Sequence, residues 1–130
     1  METSRSPIVF SIDRDAGVRV AAFCGVVTDA DLMEAYESLL GDPHYDPTLH
    51  DLLDMSGVER LEISADAIRE LIKRYARVDE LGIRTKLAIV APSDVAFGVG
   101  RMYEMLRGDD VPEEIRVFRE SSQAGRWLSE

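Results

Sequence analysis

Residues 87–97 read Leu-Ala-Ile-Val-Ala-Pro-Ser-Asp-Val-Ala-Phe. Five apolar residues without a polar break, bounded by Pro92, are what a central parallel strand buried on both faces requires. Ser93 or Asp94 then offers an N-cap, and Val95, Val99, Met102, Tyr103 and Leu106 recur along one helical face. Gly108 suits the position just past that helix. A buried strand turning directly into an amphipathic helix is half of a β-α-β unit, so the flanking segments decide whether a parallel sheet follows.

Upstream, Ser64 is an N-cap for a helix carrying Ile68, Leu71, Ile72 and Tyr75, stopped by Leu81-Gly82. Before it, Leu52, Leu53 and Met55 form a short strand that Ser56-Gly57 closes, and residues 42–49 form a loop rich in Pro, Asp and His. Thr28 caps an earlier helix with Asp29 and Asp31 in its first turn, where carboxylates meet the positive end of the helix dipole. Leu32, Ala35, Tyr36, Leu39 and Leu40 give it one apolar stripe, and Gly41 and Pro43 end it. Ile8, Phe10 and Ile12 alternate with Val9, Ser11 and Asp13. After the Asp15-Ala16-Gly17 turn, Val18 to Val27 resumes in β-favouring residues, which predicts an antiparallel hairpin. Downstream, Ile115, Val117 and Phe118 supply a last strand and Ser121 opens a helix with Ala124, Trp127 and Leu128. The expected fold is α/β, β-β-α-β-α-β-α-β-α, a mostly parallel sheet with an N-terminal hairpin in one domain over residues 1–130.

Composition narrows the function. Lys and Arg number 15 against 25 Asp and Glu, a net charge of −10, which repels phosphate backbones and disfavours nucleic acid as a partner. Residues 1–65 hold 13 acids and 4 bases, residues 66–130 hold 12 and 11. The apolar runs are too short for a membrane span, and the polar stretch Met1 to Pro7 precedes no signal-peptide core, so a cytoplasmic protein is expected. Cys24 is the single cysteine, which excludes an internal disulfide; its place in an apolar strand predicts a buried, reduced thiol.

At Leu53-Asp54-Met55-Ser56-Gly57-Val58, followed by a capped helix, the chain resembles the STAS domains, the family of sporulation anti-sigma-factor antagonists. In that family an Asp-Ser-Ser-Gly loop starts the next helix, and its second serine is phosphorylated by a partner kinase. On that alignment Glu62 stands at the Asp, Ile63 at the first serine, Ser64 at the phosphorylated serine and Ala65 at the glycine, so only part of the motif survives. The chain is more closely similar to a bacterial STAS-like group described as SpoIIAA-like or STAS/SEC14 proteins. That likeness lies at Gly25-Val26-Val27-Thr28, Asp54 to Gly57, Ala91 to Gly98, Arg101-Met102-Tyr103-Glu104 and Trp127-Leu128. The resemblance spans the full length and implies a SpoIIAA-like fold with a regulatory or ligand-binding role.

Each candidate site has a plainer alternative. Ser64 as an N-cap takes precedence over Ser64 as a phosphoacceptor, because the flanking serine and glycine are missing. His44 and His50, six residues apart among Tyr45, Asp46, Asp51 and Asp54, fit no metal-ligand spacing, so a solvated loop and no metal or other cofactor are expected. Gly98-x-Gly100 lies inside a helical pattern and no nucleophile elbow occurs, which argues against an enzyme. The basic face Arg69, Lys73, Arg74 and Arg77 can complement Asp31, Glu34 and Glu37 of the preceding helix or receive an acidic protein. Ligands of open α/β sheets bind beyond the carboxyl ends of strands. That rule selects Ser64, Ser93, Asp94 and Phe97, with Arg101 one turn behind, as the binding or regulatory residues. The expected occupant is a protein partner in a regulatory circuit. The alternative is a small apolar, neutral or lipid ligand in a pocket after the central strand, and a homodimer is compatible with either.

Overall fold

The computed structural model describes residues 6–130; the first five residues of the polar N-terminal stretch lie outside them. The chain order is β1 (Ile8–Asp13), β2 (Val18–Thr28), α1 (Asp29–Gly41), β3 (His50–Glu62), α2 (Ala65–Arg74), α3 (Ala76–Glu80), β4 (Thr85–Val90), α4 (Asp94–Arg107), β5 (Glu113–Phe118) and α5 (Ser121–Leu128). One five-stranded sheet has the spatial order β1-β2-β3-β4-β5. β1 pairs antiparallel with β2, and every later pair is parallel. The α/β architecture and the N-terminal hairpin are as expected from the sequence.

Strand order equal to chain order has a consequence for the layers. Right-handed crossovers that all step in one direction deliver their helices to one face of the sheet. Accordingly α1 packs on α2 and α2 on α4, whereas α5, which follows the edge strand, folds back onto β3, β4 and β5. Strand parity divides the side chains between the layers. Ala21, Phe23, Met55, Leu87, Ile89 and Ile115 belong to the core under the three crossover helices. Val18, Ala88, Val90, Ala124, Trp127 and Leu128 form a separate core under α5.

Four local expectations are corrected. Val95 does not join the inward face of α4, which runs through Ala96, Gly100 and Arg107 and leaves Val95 in solvent. Ser56-Gly57 does not close a short strand: β3 continues through it to Glu62 and stays paired with β2. The pairing slips between Ala22 and Cys24 and between Gly25 and Val26, so the glycines absorb bulges within the strand instead of ending it. Gly25 takes φ +70°, and a Cβ on Gly57 would meet Cys24 Sγ at 3.0 Å and the Phe23 carbonyl at 3.2 Å. Cys24 is exposed, because its parity turns it to the α5 side where that short helix does not reach. Finally, the helix expected to run from Ser64 to Leu81 breaks at Tyr75, whose N–H bonds Ile72 O at 3.1 Å in a tightened last turn. The restart as α3 brings Asp79 against Arg107.

Candidate functional site

The layer between the sheet and α1, α2 and α4 is not filled. An apolar cavity there has about 60 Å³ accessible to the centres of water-sized molecules. At roughly 10–15 Å³ per centre, that is room for a few waters or one small organic molecule. Phe23, Leu53, Met55, Ile89, Ile68 and Leu71 supply apolar wall, and the phenol rings of Tyr36, Tyr75 and Tyr103 stand among them. Burial raises the pKa of all three tyrosines above the ordinary phenol value, so they present neutral hydroxyls.

The floor of the cavity is charged. Asp51 and Glu113 line it, and both sit at the amino ends of their strands with the parity that faces the helices. Arg19, equally placed on β2, is buried and grips Asp51 with two bonds, Nε to Oδ1 at 2.8 Å and Nη2 to Oδ2 at 3.1 Å. Its Nη1 donates to Asp46 O at 3.0 Å, and its guanidinium lies 4.5 Å from the centre of the Tyr45 ring. Arg107, at the carboxyl end of α4 where a cation suits the helix dipole, is held the same way by Asp79, at 2.7 and 2.8 Å. Glu113 is the carboxyl left over. Its Oε1 lies 3.5 Å from Arg107 Nη2, a long ion pair that does not reach hydrogen-bond geometry. Among the described residues, Glu113 Oε1 and Arg107 Nε are the buried side-chain polar atoms without a partner.

Burial pushes the Glu113 carboxyl up to about 7; the neighbouring Asp51 and Asp79 carboxylates add to the shift, and Arg107 opposes it. Burial also raises Asp51, against the pull of Arg19. Among the described residues, no three His, Cys, Asp or Glu side chains gather in a way that could hold a metal ion. His50 instead accepts the Lys86 N–H at Nδ1, 2.9 Å away, and joins β3 to β4.

None of the five residues selected by the strand-end rule lines the cavity. Ser64 caps α2, accepting from Ala67 N at 3.1 Å, and is clamped by Asp29, to which its N–H and hydroxyl donate at 2.7 Å each. A phosphoryl group on Ser64 Oγ would displace that bond and sit against a carboxylate. Ser93 caps α4, accepting from Ala96 N at 3.1 Å. Asp94 and Phe97 are brought together by a residue the sequence reading did not select: Arg119 donates to Asp94 Oδ1 at 2.9 Å and lies 4.2 Å from the centre of the Phe97 ring. Arg101 pairs with Glu104 at 2.7 Å. The two caps do not start level: Ser64 lies ten residues beyond Asp54 and Ser93 three beyond its partner Val90. The basic face of α2 is largely neutralised by Arg69–Asp66, Lys73–Glu70 and Arg74–Glu37 pairs.

The floor carried a signal in the sequence. Arg19, Asp51 and Glu113 each share parity with core residues of their own strand, and Arg107 falls on the inward stripe Ala96, Gly100, Tyr103 of α4. Charges at core positions are rare unless paired or functional.

No family model matches the chain, and no curated protein matches it. Among solved structures it is similar to an uncharacterized protein from the DUF3478 family with a SpoIIAA-like fold, from Shewanella loihica PV-4. The two are 18% identical, 98% of each chain is covered and the TM-score is 0.60. The fold is SpoIIAA-like. No helix among the described residues is long and apolar enough to cross a membrane.

Proposed function

We propose that the chain is a non-catalytic, single-domain cytoplasmic module that binds a small, largely apolar molecule between the sheet and its helix layer. One observation carries this reading: an apolar space with a charged floor lies in a layer that ordinary packing would close, since interiors leave few voids larger than a water. A long acyl chain does not fit without separating α1, α2 and α4 from the sheet, which favours a compact ligand over a lipid. Native mass spectrometry of protein purified from its own host tests the reading together with toluene titration followed by methyl NMR. A low-mass adduct, or toluene-induced shifts at Met55, Leu71 and Ile89, is expected. No adduct combined with unmoved methyl signals would overturn it.

A second reading, a protein partner in a regulatory circuit, is favoured by the outer face of α4. Val95 is 66% exposed and Met105 74%, two large apolar side chains left uncovered near the two ends of α4. Ser64, Ser93, Asp94, Phe97 and Arg101 are the proposed contacts of that partner. Val95→Asp should then abolish copurification of the partner while leaving toluene binding intact.

A further inference from the structure

The charges on the cavity floor do not balance. Asp51, Asp79 and Glu113 face two guanidiniums, and each guanidinium is already engaged on two sides by one carboxylate. Glu113 is 10% exposed, lines the cavity, and leaves Oε1 without a donor. A second, much smaller space of about 10 Å³ adjoins it, lined by Asp51, Tyr75, Asp79, Arg107 and Glu113. One water there can serve Arg107 Nε. A neutral water leaves the surplus negative charge where it is. What the floor lacks is an N–H donor within hydrogen-bond reach of Glu113 Oε1 and, once that carboxyl is ionised, a second cation beside the Arg107 it shares with Asp79.

We infer that the molecule bound in this cavity is a compact apolar amine, whose ammonium pairs with the Glu113 carboxylate while its hydrocarbon body fills the space beneath Tyr36 and Tyr103. The inference rests on the cavity reading above and specifies the ligand's chemistry. Phenol rings suit the role, because their faces attract a cation as well as an apolar body. Arg107 already lies 5.5 Å from the centre of the Tyr75 ring, which leaves Tyr36 and Tyr103 as the available aromatic wall. The groups facing Glu113 are Tyr36 of α1, Tyr45 of the loop before β3, Asp51 of β3, Tyr75 at the α2–α3 break, Asp79 of α3, and Tyr103 and Arg107 of α4. Tyrosines and arginines keep their protonation state between pH 6 and 8, and Asp51 and Asp79 are each held by two bonds to a guanidinium, whereas burial brings Glu113 to about 7, inside that range.

Three matched probes separate charge from shape: toluene, benzyl alcohol and benzylamine, titrated into the intact protein at pH 8 and pH 6 with the Met55, Leu71 and Ile89 methyl signals as readout. Benzylamine, like other alkylamines, stays protonated throughout. Expected at pH 8 is benzylamine binding at least about tenfold tighter than benzyl alcohol. At pH 6 its affinity should fall by roughly tenfold as Glu113 takes up a proton, with benzyl alcohol changing less than about twofold. The near-isosteric Glu113→Gln should erase the amine preference and keep benzyl alcohol binding. Benzyl alcohol binding as tightly as benzylamine at pH 8, or an amine preference that survives in Glu113→Gln, overturns the inference and leaves the cavity reading intact. Failure of all three probes to move the cavity methyls overturns both.

Discussion

The two faces of the sheet are packed to different standards. Under α5, Trp127 fills the layer, its ring 5.7 Å from that of Phe118 and flanked by Lys86 and Arg116, and Ala88 and Ala124 are fully buried. Lys86 Nζ donates to Trp127 O at 2.9 Å and to Glu130 O at 3.2 Å, which fastens the end of α5 to β4. Under α1, α2 and α4 the layer is larger, carries three tyrosines, and still keeps a cavity above a buried ionic floor. One short helix packs tightly on the strands it covers, β3 to β5, and three longer helices leave a cavity over theirs. Room and buried charge cost stability, which is why the proposed binding is assigned to the face that retains both and the tight face is taken as scaffold.

The sharpest test of that contrast is Trp127→Ala, which should destabilise by about 3–5 kcal/mol as the α5 core loses its largest side chain. A loss under about 1 kcal/mol in chemical denaturation would show that this face is not the scaffold. Next comes pH. The folded Glu113 carboxyl holds its proton to about pH 7, well above its ordinary 4.5, so the native state binds more protons in that window. Stability should therefore fall by up to about 3 kcal/mol as pH rises from about 4.5 to 7 and show no further Glu113 effect above it. Glu113→Gln should remove that slope when urea midpoints are compared across the range. An unaltered slope would place the titration elsewhere.

Two one-step enlargements set the faces against each other directly. Ala124→Val in the closed core should cost about 1–3 kcal/mol from overpacking, whereas Ala21→Val, which points into the cavity, should change stability by less than about 0.5 kcal/mol and weaken toluene binding. Equal thermal shifts in the two variants would mean that the cavity is already filled. The smallest effect belongs to the rim of the helix layer: Ser64→Ala should cost about 1 kcal/mol through loss of the α2 cap and its bond to Asp29. An unchanged denaturation midpoint, with a phosphate on Ser64 of host-purified protein, would instead make that serine a switch.

Much of this fold was legible in one dimension because its signals are local. The Leu87 to Ala91 run, the stripe of α1, the caps at Thr28, Ser64 and Ser93, and Gly108 past α4 each depend on residues within a turn or two. The errors lay where a distant partner overrode a local sign. Ser56-Gly57 is a turn dipeptide, yet β2 supplies the ladder that carries β3 through it as a bulge. Val18 to Val27 predicts a buried Cys24, yet burial depends on how far α5 reaches across the other face.

The candidate site divides in the same way. Alternation along a single strand is enough to mark Arg19, Asp51 and Glu113 as core positions, because side-chain parity is a local property. That these charges meet, that Asp79 takes two bonds from Arg107 and leaves Glu113 a single long contact, and that the space above them stays open, follow from the assembled layers alone. Pairing and cavity volume depend on which strands are neighbours and how closely three helices approach one sheet, distances set by all the side chains in the layer together.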